Sequence, residues 1–142
     1  MVREGSVELE GAVVRGRLHH VALGARDVER VAAFYRQVFG LREVARHLAP
    51  DGAVRSIWLD LGGAVLMIEH SVEAPRAVHG VGAGPFLLAF AAPAESEDEL
   101  AAALAPWGAH LEARTAHSRY FRDPEGNRVA LSDHPLQGIF RR

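Results

Sequence analysis

The strongest constraint this chain places on its own fold is that one order of elements occurs twice. Residues 18–70 read as strand, helix and three strands, and residues 85–132 read the same way. In the first half, Leu18–Leu23 is a short β-rich run. Asp27 can cap a helix over Val28–Phe39, with Val31, Phe34, Tyr35 and Val38 on one stripe and Gly40 as its stop. Strands are predicted at 42–48, 54–61 and 64–70, with turns at Asp51-Gly52 and Gly62-Gly63. In the second half, a strand is predicted at Phe86–Ala91. Ser96-Glu97-Asp98-Glu99 forms a capping box that opens a helix to about Trp107, with Leu100, Leu104 and Trp107 as its buried stripe. Strands follow at 109–114, 117–122 and 127–132. Each half leaves an apolar sheet face that only packing against another layer can bury. The expected fold class is therefore α+β. Two βαβββ modules form a curved, partly closed mixed β-sheet, a barrel-like cup with helices outside. Residues 1–16 are a lead-in, in which Ser6–Val14 reads as a short strand. Residues 17–142 are a single domain: module one at 18–70, a Gly-rich linker at 71–84, module two at 85–134 and an apolar tail at 135–142. The cup between the modules is the natural ligand site.

Composition excludes several chemistries. The chain is 49% hydrophobic and 24% charged, enough to bury a full core. A net charge of −2 gives no case for nucleic acid or an anionic membrane surface as a partner. All sixteen basic residues are arginine, which removes lysine Schiff-base and P-loop chemistry. The absence of cysteine removes disulfides, thiolate metal sites and a Cys nucleophile. Met1–Gly16 carries charges throughout and lacks the apolar core of a signal peptide, and no apolar run reaches membrane-spanning length, so the expected compartment is the cytoplasm. Gly80-Val81-Gly82-Ala83-Gly84 is glycine-rich but follows no strand and opens no helix, so it reads as linker rather than a phosphate loop.

The stretch Tyr120–Asp133, YFRDPEGNRVALSD, reads as strand, tight turn, strand. Asp123 can accept backbone N–H bonds at the turn entrance, Pro124 presets φ, and Gly126 and Asn127 tolerate the left-handed region. Together with LHHVALGARDVERVAAFYRQVFGL at 18–41 and WLDLGGAVLMIEH at 58–70, it resembles the vicinal oxygen chelate superfamily. That group includes glyoxalase I, bleomycin-resistance and fosfomycin-resistance proteins, methylmalonyl-CoA epimerase and extradiol dioxygenases. The resemblance covers residues 18–134. It implies the two-module fold, a homodimer and a small-molecule ligand or substrate, but not a reaction, because this scaffold hosts many.

In metal-dependent members two strand positions from each module point into the cup. Carried over by motif, these are His20 and Glu69 in the first module, and Leu87 and Ala130 in the second. His20 and Glu69 suit a divalent ion such as Zn, Ni, Mn or Fe, whereas Leu87 and Ala130 cannot ligate. A catalytic zinc normally has three protein ligands, so this is half a site. His47 and His117, on strands whose facing the sequence leaves open, are possible extra ligands.

His20 fits three roles: metal ligand, acid/base group or core histidine. Glu69, at the end of an apolar run, is a possible acid/base or metal group, its bland alternative being a solvated strand end. Trp58, Met67, Leu87, Tyr120, Arg128 and Ala130 are candidate lining residues. Trp58 and Tyr120 would serve as stacking walls or as core. Arg119, Arg122 and Arg128 would clamp an anion or form a solvated basic face. Three functions follow, the residual one being an interaction or structural domain with a closed cup. The first is a small-molecule-binding protein with no certain cofactor, lacking the full metal site. The second is a metal-dependent lyase, isomerase, epimerase or dioxygenase with a variant site on His20 and Glu69. Two lost ligands outweigh two kept ones, which favours the first and disfavours glyoxalase I activity itself. Whether the chain is a catalyst stays open.

Overall fold

Asp27 begins the first helix as its position in the sequence demands. Its carboxylate accepts from the Arg30 backbone N–H at 3.1 Å, and Gly40 ends the helix in the left-handed region at φ 69°. The computed structural model describes residues 16–73, 79–80, 86–93 and 97–136. The elements run β1 (His20–Ala25), α1 (Val28–Phe39), β2 (Glu43–Leu48), β3 (Val54–Asp60), β4 (Val65–His70), β5 (Leu88–Ala91), α2 (Glu97–Leu104), a 3₁₀ turn (Ala105–Trp107), β6 (Ala113–Arg114), β7 (Ser118–Arg122) and β8 (Arg128–Ser132). The predicted strand at 109–114 pairs only at its end. The Ser6–Val14 strand, the Ser96 cap, Val81–Gly84 of the linker and the end of the tail lie outside the described residues.

The repeat is real in the topology. The strands form two four-stranded sheets, ordered β1-β4-β3-β2 and β5-β8-β7-β6, each with one parallel pair and two antiparallel pairs. This is the α+β, two-module architecture expected. The two sheets, however, do not close into one cup within the chain. α1 fills the space between their inner faces. Its buried residues Val31, Phe34 and Tyr35 share one core with Ile57, Leu59, Leu66 and Ile68 of the first sheet and with Phe121, Val129 and Leu131 of the second. Phe39 stacks on Phe90 with ring centroids 4.1 Å apart, and Phe34 meets Trp107 edge-on at 5.5 Å. The buried residues of α1 form one broad face, and its core partners come from both sheets.

The 123–127 turn fastens the two modules together. Buried Asp123 accepts from the Tyr35 hydroxyl at 2.7 Å, the Asn127 side-chain amide at 2.8 Å, and the backbone N–H groups of Glu125 and Asn127 at 2.8 and 2.9 Å. Burial still raises the Asp123 pKa above the usual carboxylate range against the lowering effect of these bonds. Desolvation, reinforced by Asp123, likewise raises the Tyr35 hydroxyl. Glu125 of the same turn accepts from the Arg26 backbone N–H and Nε at 3.1 and 3.2 Å.

Candidate functional site: the open sheet faces

α1 occupies the inner face of each sheet, and the opposite faces are more exposed, although Ser56, Arg128 and Ala130 on them are buried. Strand alternation puts His20, Ala22 and Gly24 of β1 on the first open face with Val65, Met67 and Glu69 of β4. Ser56, Trp58 and Asp60 of β3 share it, as do Ala45 and His47 of β2. Three rows cross this sheet: His20·Val65·Asp60, then Ala22·Met67·Trp58·Ala45, then Gly24·Glu69·Ser56·His47. On the second open face, Ala89 pairs with Ala130 and Ala130 with Tyr120, while Arg122 pairs with Arg128 beside the turn.

The two modules can now be superposed by register. In each, the pair next to the β-turn is Asp60·Val65 or Arg122·Arg128, and the next pair on the same face is Trp58·Met67 or Tyr120·Ala130. Met67 therefore holds the place in module one that Ala130 holds in module two. Glu69 lies one step further on, where module two has Ser132. His20 and Leu87 correspond, each lying two residues before the β1 or β5 partner of Met67 or Ala130. The structure does not bring His20 and Glu69 together. Glu69 pairs with Gly24, four residues along from His20, a separation of about 13 Å at the rise of a strand.

The superfamily's metal does not fit the positions that the repeat relates. His20, Met67, Leu87 and Ala130 offer one imidazole, one thioether and two hydrocarbons, short of the three N or O donors a divalent transition ion needs. Among the described residues no group of three or more His, Asp or Glu side chains is arranged to hold an ion. His20 is exposed, with its Nδ1 2.8 Å from that of His19.

The other candidates fall into place individually. His117 sits at the far end of module two, its Nδ1 2.9 Å from Asp133 Oδ1 and its ring edge-on to His134. Arg128 is 5% exposed and donates to the Phe86 and Gly80 carbonyls at 2.9 and 3.2 Å, so it holds the chain's own backbone just ahead of β5. Arg122 bonds Glu112 and the Gly126 carbonyl. Arg119 lies on the inner face with Leu131 and donates to the Pro93 carbonyl. The three arginines do not converge on one anion. Trp58 and Tyr120 are half-buried on the open faces, and Leu87 is half-buried just before β5. His47 shares the Glu69 row, its ring 4.7 Å from that of Trp58. Ser56, 1% exposed, accepts from Trp58 Nε1 at 2.7 Å. The sequence reading passed over Ser56, although its place two residues before Trp58 on a strand put both on one face.

Comparison with known proteins agrees with this architecture. The family model of the Glyoxalase/Bleomycin resistance protein/Dioxygenase superfamily matches residues 17–131. The chain belongs to this superfamily. Human mitochondrial methylmalonyl-CoA epimerase is 29% identical over 65 residues, 46% of this chain and 37% of the epimerase, so the match spans little more than a third of that relative. A mutant of the fosfomycin resistance protein FosX from Listeria monocytogenes, solved with Mn(II) and 1S,2S-dihydroxypropylphosphonic acid, superposes with a TM-score of 0.71 at 17% identity. That alignment covers 90% of this chain and all of the FosX chain, and its likeness is one of fold. Lactoylglutathione lyase from Agrobacterium tumefaciens gives a TM-score of 0.60 at 26% identity, over 87% of this chain and 98% of the lyase. Among the described residues no helix is long and apolar enough to cross a membrane.

Proposed function

We propose that this chain is a small-molecule-binding member of the superfamily whose ligand surface is the pair of open sheet faces, used without the family's metal set. One observation carries the reading: three of the four positions related by the internal repeat, Met67, Leu87 and Ala130, lack a nitrogen or oxygen donor. A cup lined this way suits an uncharged or aromatic molecule held by Trp58, Met67 and Tyr120, over the buried Ala130.

Within one chain the two open faces look away from each other across α1. A second copy supplies what each lacks: the first-module face of one copy closes over the second-module face of the other. Two features support this arrangement. Among the described residues β1 and β5 have no strand on their outer side, and natural sheets rarely leave such edges uncovered. Their open-face residues Ala22, Gly24, Ala89 and Ala91 are exposed yet small, letting another backbone approach closely. Such a two-fold pair is the commonest closed assembly.

The alternative, a metal-dependent lyase, isomerase, epimerase or dioxygenase with a variant site on His20 and Glu69, requires those residues to converge on one ion, and the register of β1 and β4 holds them apart. Sedimentation equilibrium tests the shared cup. The chain is expected to sediment at about 31 kDa, twice its 15.4 kDa. An Ala89→Arg variant is expected to sediment as a single chain. A wild-type protein that stays a single chain at micromolar concentration rules the shared cup out.

A further inference from the structure

A cavity of about 300 Å³ lies at the seam between the modules, with walls from three parts of the chain. Arg30 stands on α1. Trp107, His110 and Glu112 come from the end of the 3₁₀ turn and the segment after it. Arg122 and Asp123 lead from β7 into the 123–127 turn. None of Trp58, Met67, Tyr120 and Ala130 takes part. The Arg30 guanidinium lies over the Trp107 ring, 5.2 Å from its centroid, an attraction that holds the cation in place. Trp107 is fixed in turn by its edge-on contact with buried Phe34.

The two carboxylates of these walls are already engaged. Glu112 accepts from Arg122 Nε at 3.0 Å. Asp123 is 4% exposed and accepts from Tyr35, Asn127 and two backbone N–H groups. The donors are in surplus. Arg30 and His110 are exposed and make no ion pair or side-chain hydrogen bond among the described residues, and the indole N–H of half-buried Trp107 meets no acceptor there. Arg122 spends Nε on Glu112 and Nη1 on the Gly126 carbonyl, which leaves Nη2 without an acceptor among them. The repeat does not call for a cation here. Counted from the left-handed glycines that follow each module's helical segment, Gly40 and Gly108, Arg30 answers to Asp98. Water satisfies such donors in the free protein; an oxyanion replaces it with charge-assisted bonds about twice as strong as neutral ones.

We propose that this cavity binds the phosphate group of a small phosphorylated molecule, with Arg30 as its anchor. Donors from three separate segments suit the tetrahedral spread of phosphate oxygens better than a planar carboxylate. The volume is at the low end for ligand pockets and admits the phosphate with a short body. A phosphate held here touches α1 of module one and the end of β7 in module two. It therefore binds the folded chain and not the unfolded one, and stabilises the fold by mass action. The site shares no lining residue with the cup and does not depend on it.

The test is a ¹H–¹⁵N NMR titration of the full chain with inorganic phosphate at constant ionic strength, which removes general screening. It follows the Trp107 indole N–H and the Gly108 and Ala109 amides, all in the cavity wall. Saturable shifts at these positions are expected at millimolar phosphate, with the Trp58 indole N–H unshifted and Tm rising with phosphate concentration. Acetate is expected to bind at least tenfold more weakly, a comparison that needs no variant. Arg30→Met keeps an unbranched chain over Trp107 and is expected to weaken phosphate binding at least tenfold. Arg46→Met, at an arginine already paired with Glu29 and Glu43, is expected to leave it unchanged. Absence of saturable shifts in the wild type, shifts at Trp58 in place of Trp107, or equal affinity for acetate overturns the proposal. So does an affinity unchanged in Arg30→Met or lowered equally in Arg46→Met.

Discussion

Removing the Tyr35 hydroxyl should loosen the chain far more than a surface change, and the effect should depend on Asp123. The two residues are 88 apart in sequence, one on the helix of module one and one in the last turn of module two, joined at 2.7 Å in a buried setting. Tyr35→Phe deletes one hydrogen bond to a carboxyl that keeps three others, which costs about 1–2 kcal/mol. Asp123→Ala strands the Tyr35 hydroxyl, the Asn127 amide and two backbone N–H groups, some of which reach water after relaxation, for about 3–4 kcal/mol. At roughly 3 °C per kcal/mol for a chain of this size, these are losses of about 3–6 and 9–12 °C in Tm. The double variant should lose less than the sum by about 1–2 kcal/mol, since the shared bond is counted once. Urea denaturation of the four proteins measures this. A coupling indistinguishable from zero would refute the claim that the pair ties the modules together. The pH dependence supplies a second check. Burial raises the folded-state pKa of Asp123 above its unfolded value, so the folded chain binds more protons in that window. The stability this group contributes is full below the unfolded pKa and is lost as pH rises through the raised folded pKa. Asp123→Asn cannot titrate, so wild type should lose stability relative to that variant as pH rises from about 4, the unfolded carboxylate value.

Three further outcomes follow from the packing. Phe34→Ala, at a fully buried residue touching both modules, should cost about 3–5 kcal/mol by urea denaturation and raise the amide exchange of both sheets. Gly40→Ala should cost about 1 kcal/mol, because φ 69° at the end of α1 forces a Cβ into the left-handed region, even though the space beside it is open. Arg46→Met should change stability by less than about 1 kcal/mol, although Arg46 bonds both Glu29 and Glu43, since these are exposed ion pairs screened by solvent.

The fold was legible where local chemistry decides it. Asp27 and Gly40 bracket α1 as read, and the 123–127 turn forms with Asp123 accepting from the backbone N–H groups of Glu125 and Asn127. What could not be read depends on contacts across the repeat. Nothing local shows that α1 lies between two sheets, because Phe34 and Phe39 look like one stripe until Phe121 and Phe90 are placed beside them. Glu69 drew attention as the acid in an apolar run, but position on a strand is counted from the turn. Counted from Asp60·Val65, the place matching Ala130 belongs to Met67. The facing of His47 was hidden by irregularities between Glu43 and Ala45 and between His47 and Leu48, which break the two-residue alternation of β2.

The metal content of the native protein, purified from cells without chelators, bears most directly on a ligand surface that works without the superfamily's ion. Elemental analysis by mass spectrometry should find well under one equivalent of Zn, Ni, Mn or Fe per chain, unchanged in His20→Ala and Glu69→Ala. One equivalent per chain that disappears in either variant would contradict the account and restore the divalent-metal reading.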